Sequence, residues 1–248
     1  MKKLNYIICL DFETGGLSPT SSAVTQIGME ILHPVTFKVI EKYSSYIYPY
    51  FKNDAKNAVK RGKKVVSKRE RTDKDGELYE YSAKALEYTN ITMDMLYKNG
   101  KPIGVVMDEI VDMFKKANPQ NARNYKPMML GQNFRFDIGF LQHMAEYCGT
   151  DLSKYLDGNK DFFGNFQPNY FDTLFLAKQY FATDNKVTSH KLGLMADKLG
   201  VELVNAHDAM ADVEATSGIF QLLMRNMRSS GGTSESGGDD RARKHFNF

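Results

Sequence analysis

Three strand-like runs follow one another between Tyr6 and Tyr48, with connections too short for a crossover helix. That alone restricts the opening of the chain to an antiparallel meander. Tyr6 to Leu10 is a continuous apolar run of the kind buried on both faces of a sheet. The turn-rich loop from Gly15 to Ser22 separates it from a second run, Val24 to Leu32. His33-Pro34 breaks that run before a third, Val35 to Tyr48, which alternates and is rich in Tyr and β-branched residues. After the next, basic segment, helices and strands alternate. Thr92 caps a short helix, and Pro102 starts another that runs to about Lys116. Met128 to Leu130 is a brief strand, and Phe134 to Tyr147 is a helix closed by Gly149. Tyr170-Phe171 forms a last strand, and Asp172 caps a helix to Tyr180. Ser189 caps a helix ending at Gly200, and a final helix runs from about Asp208 to Met227. The expected fold class is α/β: a mixed β-sheet, a three-stranded antiparallel meander followed by β-α units, with helices on both faces.

Composition matters at three points. The longest uncharged apolar run is far short of a membrane span, so no transmembrane helix is expected. The stretch Leu4 to Leu10 contains Asn5 and meets Asp11 and Glu13, leaving no room for a signal-peptide core. Cys9 and Cys148 read as small core residues, and the chain reads as intracellular, cytoplasmic. Net charge is only +3, yet Lys52 to Lys74 holds ten Lys/Arg against three acids. An acidic body with one basic arm suggests that a polyanion is approached locally. Asp75-Gly76 predicts a hairpin of Lys64–Arg71 against Glu77–Tyr81, with Glu77 and Glu80 partly neutralising Lys68, Arg69 or Arg71. The cations left over would grip phosphates. The domain is expected over 1–228, with this insertion at about 52–76. Residues 229–248 form a disordered tail by composition, ending in Arg241, Arg243, Lys244, Phe246 and Phe248.

Chemistry enters with the acids. Asp11 and Glu13 stand two apart at the end of the first strand, so both carboxylates project to one face. Like charges held there repel unless a cation binds between them. The same spacing at Asp75/Glu77 falls in a turn, and at Asp212/Glu214 on a helix, where i and i+2 face apart. Asp137 follows Gln132-Asn133 at a strand-to-helix junction, where a helix cap and a ligand are both open readings. His207 precedes Asp212 by five residues around the start of the last helix, so both could face one cleft.

These pieces, in this order, resemble the DEDDh (DnaQ-like) family of 3′-to-5′ exonucleases in the RNase H-like superfamily. The family includes polymerase proofreading subunits, oligoribonuclease and RNase T. Asp11-Phe12-Glu13-Thr14-Gly15-Gly16-Leu17 is similar to its first motif, Asn133-Phe134-Arg135-Phe136-Asp137 to its second, and His207-Asp208-Ala209-Met210-Ala211-Asp212 to its third. Ala85 to Thr92 also resembles a family segment between the first two motifs. The basic insertion departs from the pattern, as does Gly15, where many relatives carry a hydroxyl residue. The resemblance implies an RNase H-like sheet and two Mg²⁺ or Mn²⁺ ions held by Asp11, Glu13, Asp137 and Asp212. It implies His207 as general base and Leu17 as an apolar wedge beneath the terminal base. Thr14 and Asn133 are either substrate-positioning or ordinary loop residues. Phe134 and Phe136 read as core, and Asp172 as a cap instead of a fifth ligand. The expected activity releases nucleoside 5′-monophosphates from single-stranded DNA 3′ ends, in replication proofreading. The alternatives are an RNA exonuclease and a non-catalytic polymerase-accessory module. The tail is expected to dock on a DNA polymerase or other replication partner.

Overall fold

The first strand sets the frame, because its alternation sorts side chains between two helical layers. The computed structural model describes residues 5–52 and 76–230. Strand β1 (Ile7–Thr14) pairs antiparallel with β2 (Val24–Leu32), which pairs antiparallel with β3 (Val39–Tyr46). On its other side β1 runs parallel to β4 (Met128–Gly131), and β4 parallel to β7 (Tyr170–Asp172), giving the order β3-β2-β1-β4-β7. This is the expected meander followed by β-α units.

Helices α1 (Ala83–Thr89), α2 (Met93–Asn99), α3 (Ile103–Lys116) and α4 (Arg135–Cys148) follow the meander, with β4 between α3 and α4. Then come the hairpin β5 (Gly158–Lys160) and β6 (Phe166–Pro168), strand β7, and helices α5 (Thr173–Tyr180), α6 (Leu192–Leu199) and α7 (Ala209–Ser230). On one sheet face Ile8, Leu10 and Phe12 join Ile27 and Met29 against Ile110, Phe114, Phe140 and Met144 of α3 and α4. On the other, Ile7 and Cys9 pack with Val213 and Phe220 of α7. Period-two alternation therefore sends Asp11 and Glu13 to the α7 face. Their cross-strand partners are Gly28 and Gln26. A Cβ on Gly28 would lie 2.3 Å from the Ala209 carbonyl oxygen, so the missing side chain lets the first residues of α7 sit directly on β2.

Thr92 and Asp172 cap α2 and α5 as expected, by accepting from the backbone N–H of Met95 and Leu174. Other expectations are corrected. β3 starts at Val39 and not Val35, because the Phe37 N–H donates to the His33 carbonyl and closes a turn with Phe37 at φ 58°. Ser189 does not cap α6: Lys191 stands at that cap without a side-chain hydrogen bond. The His190 carbonyl accepts instead from Gln132 Nε2, a tie that competes with an earlier helix start. Helix α7 reaches Ser230, past the expected helix end at Met227, and Ser229 Oγ donates to the Arg225 and Asn226 carbonyls.

Within the expected hairpin, Lys64–Arg71 lies outside the described residues, as does the tail from residue 231. The segment 77–81 pairs with a different part of the chain. Leu78 bridges Phe51, the Lys52 N–H donates to the Glu77 carbonyl, and Lys52 Nζ lies 2.8 Å from Glu77. Glu80 bridges Ser22, and the Ser82 N–H donates to the Gly15 carbonyl. This contact accounts for Gly15: a Cβ there would lie 2.2 Å from the Glu80 carbonyl oxygen. No helix among the described residues is long and apolar enough to cross a membrane.

Candidate active site

β4 ends at Gly131, short of the end of β1, which leaves the Phe12 N–H without a strand partner on that side. Asp137 supplies one: its Oδ1 accepts the Phe12 N–H at 3.0 Å. Asp137 is thus not the cap of α4, since Phe134 occupies that position. It lies in the first turn and reaches over the sheet end beside Asp11 and Glu13, at the carboxyl ends of parallel strands where such crevices form. Asp172 accepts the N–H groups of Asn133 and Phe134, fixing the turn that leads into α4. Its oxygens are engaged as a cap, as the sequence suggests.

The third element is the start of α7. Asp208 Oδ1 accepts the N–H groups of Met210 and Ala211, and Oδ2 accepts from Gln26 Nε2 at 2.8 Å. Gln26 Oε1 in turn accepts the Ala209 N–H. Through this clamp the buried Gln26, opposite Glu13 in the sheet, ties the helix start to β2. The geometry gathers Glu13, His207 and Asp212, each offering a ligand atom within 4.8 Å of the others. The His207 N–H donates to Asp212 Oδ1 at 3.4 Å, and His207 itself has φ 70°. Asp11 lies outside that trio; its charge repels Asp212 and Glu13 within it and Asp137 beside it.

The charges are poorly tolerated as they stand. Burial, then Asp137, Asp212 and Asp208, hold the Asp11 carboxyl well above the usual range. Burial, with Asp11, Asp212 and Asp208 adding to it, pushes Glu13 to about 9. Burial raises Asp137 to about 8 against the opposing Phe12 N–H. Asp212 is raised by burial and partly relieved by His207. An all-oxygen set of buried and half-buried acids with an imidazole beside it suits a hard divalent cation, which would supply the missing positive charge. The residues present fit such an ion.

These shifts predict an inverted pH dependence of stability without metal. The native state holds protons that the unfolded chain releases, so stability is present below the ordinary carboxyl values of 3.8–4.5 and is lost as pH rises toward 8–9. His143, lowered by burial, acts in the opposite sense, as one group against four. In EDTA the thermal midpoint should fall between pH 5 and 9, and Mg²⁺ should raise it most at the alkaline end. A midpoint that climbs across this range and ignores Mg²⁺ would contradict the cluster.

The other expected site residues lie nearby in different states. Leu17 is 86% exposed after the carboxylate strand. Thr14 Oγ1 donates to the Gly16 carbonyl at 2.7 Å and so holds the turn. Asn133 is exposed, with φ 54°. Phe134 is fully buried and Phe136 packs against the core, as expected. Sequence reasoning missed Asp208, Gln26 and Gly28. It also gave no role to Tyr88, whose ring stacks on that of His207 with centroids 4.0 Å apart.

A family model described as exonuclease (RNase_T) matches residues 55–220, a stretch that includes Asp137, His207 and Asp212. Among curated proteins, DNA polymerase III PolC-type of Thermotoga petrophila is 24% identical over 90% of this chain and 12% of its own length. Its namesake from Clostridium perfringens is 28% identical over 58% of this chain and 8% of its own length. The chain therefore spans a small fraction of these relatives. Among solved structures, E. coli Exonuclease I in complex with a dT13 oligonucleotide aligns with a TM-score of 0.63 at 20% identity, covering 92% of this chain and 43% of that one. A zinc-bound form of the E. coli Exonuclease I complex with single-stranded DNA aligns with a TM-score of 0.63 at 19% identity, over 91% and 42%.

Proposed function

The chain belongs to the exonuclease (RNase_T) family, DnaQ-like and RNase H-like in fold, and from that premise we propose that it is a metal-dependent 3′-to-5′ exonuclease acting on single-stranded DNA ends. The observation that carries this reading is the convergence of Glu13, His207 and Asp212, from a strand end, a loop and a helix start, beside the half-buried Asp11 and the buried Asp137. Asp11, Glu13, Asp137 and Asp212 would hold two ions, Mg²⁺ or Mn²⁺. When bound, such a pair stabilises the attacking and leaving oxygens of an in-line displacement at phosphorus.

The chain's own residues do the rest. His207 takes the proton of the attacking water as the general base. The bond between phosphorus and the 3′ oxygen breaks, so phosphate leaves on the 5′ carbon of the released nucleotide. Leu17, exposed beside the acids, offers an apolar surface to the terminal base. Thr14 shapes the turn that presents Leu17, and Asn133 stands exposed in the turn before the helix that carries Asp137.

Proofreading is the context this reading favours, supported by the likeness to PolC-type polymerases. The basic run of residues 52–74 is assigned to phosphate contact, on composition. The C-terminal Arg241, Arg243, Lys244, Phe246 and Phe248 are assigned to docking on a polymerase, also on composition. Matched single-stranded DNA and RNA oligonucleotides incubated with Mg²⁺ test the substrate. DNA should be shortened faster and yield 5′-monophosphates, and EDTA should stop the reaction. Faster loss of RNA would turn the reading toward an exoribonuclease.

A further inference from the structure

His207 sits in a turn before α7, closed by the Asp208 N–H, which donates to the Asn205 carbonyl. Two residues of this turn, Asn205 and His207, take left-handed φ values of 59° and 70° without being glycine. Among the described residues no hydrogen bond reaches either imidazole nitrogen, although a histidine used as a base is ordinarily oriented by a partner on its second nitrogen. The backbone N–H of His207 is tied to Asp212, but that bond leaves the ring free to turn about its side-chain bonds. One aromatic neighbour fills the gap among the described residues. Tyr88 lies against the imidazole with an interplanar angle of 39°, while 63% of the tyrosine remains exposed.

Tyr88 stands on a helix anchored at both ends. Helix α1 is capped by Ser82 Oγ, which accepts the Ala85 N–H, and is closed by Asn90 in the left-handed conformation. Ser82 also donates its N–H to Gly15, so α1 is fastened to the loop that follows Asp11 and Glu13. The helix that carries Tyr88 therefore has a fixed place relative to the acids, and the two rings restrain each other through their contact.

We infer that Tyr88 is a positioning residue: its ring, held by α1, sets the plane of the His207 imidazole toward Glu13 and Asp212. The inference rests on the exonuclease reading for its catalytic consequence and on the stack alone for its structural one. A stacked ring does this without a hydroxyl, so phenylalanine should serve as well as tyrosine. A base displaced by about 1 Å loses rate by as much as about 10²-fold, while binding of the strand is untouched.

The test compares wild type with Tyr88→Ala and Tyr88→Phe. Because Tyr88 is mostly exposed, both variants should fold. In metal-free protein, proton NMR reads the His207 ring protons, assigned by their loss in His207→Gln. They should lie upfield from the tyrosine ring current in wild type and Tyr88→Phe, and return to ordinary positions in Tyr88→Ala. With Mg²⁺ and a single-stranded DNA oligonucleotide, Tyr88→Ala should lose about 10- to 100-fold in kcat with KM within about twofold, and Tyr88→Phe should keep wild-type turnover. Three results would overturn the inference with an active wild type: unmoved His207 resonances in Tyr88→Ala, an unchanged kcat despite moved resonances, or a raised KM at constant kcat. A wild type that leaves the oligonucleotide intact overturns the exonuclease reading itself, and the NMR arm still decides whether the stack exists.

Discussion

Asp11→Ala and Asp212→Ala, made singly, should each leave a folded protein that no longer shortens single-stranded DNA. Replacing groups that merely surround a metal's ligands commonly costs 10- to 100-fold, so losing a ligand should cost more than about 10²-fold. Folding should survive because both acids are held above their ordinary values by burial and, for Asp11, by its acidic neighbours. Taking either away removes part of a repulsion that the metal-free protein carries. In EDTA at pH 8 the thermal midpoint of each variant should equal or exceed that of wild type. A variant that keeps more than a tenth of wild-type activity would remove its aspartate from the site. Loss of activity with a collapsed midpoint would make the residue structural.

His207→Ala should lower turnover by about 10²–10⁴-fold, the range for a lost general base, with the affinity for oligonucleotide little changed. The expectation follows from where the ring stands, within 4.8 Å of ligand atoms on Glu13 and Asp212. The histidine contributes no side-chain hydrogen bond to the fold among the described residues, so its removal should leave stability close to wild type. Rate and midpoint together separate the roles. A variant with wild-type turnover would show that the proton goes elsewhere, and one that melts early would show a structural histidine.

Features set within a few residues were legible in the sequence. Asp11 and Glu13 share a face because strand alternation is local, and their face is the one α7 covers. The caps at Thr92 and Asp172 were legible for the same reason, since a side chain that accepts an N–H two or three residues on needs no distant partner. Ser189 misled because a contact from far away, Gln132 to the His190 carbonyl, holds that stretch out of the helix. The short strands β5 and β6 carried too few residues to show a period. Helix α1 went unassigned, although its segment had been noted through the family resemblance.

The site divides along the same line. Its acids could be named one motif at a time, but nothing in the spacing says that His207 meets Glu13. That followed from the family resemblance and then from geometry. The purpose of Gly28 depends on Ala209, which reaches it only in the folded chain. Gln26 and Asp208 are likewise partners across the length of the domain. Only the stack on His207 distinguishes Tyr88.

The direction of digestion and its metal dependence are read together in one measurement. A single-stranded DNA oligonucleotide carrying its label at the 5′ end, and a second copy labelled at the 3′ end, are digested with Mg²⁺ and sampled over time, with EDTA as control. The account predicts that the 5′ label descends through a ladder of shortened strands while the 3′ label appears at once as mononucleotide, and that EDTA abolishes both. Release of the 5′ label first, internal cuts that leave both labels on long fragments, or equal digestion in EDTA would contradict it.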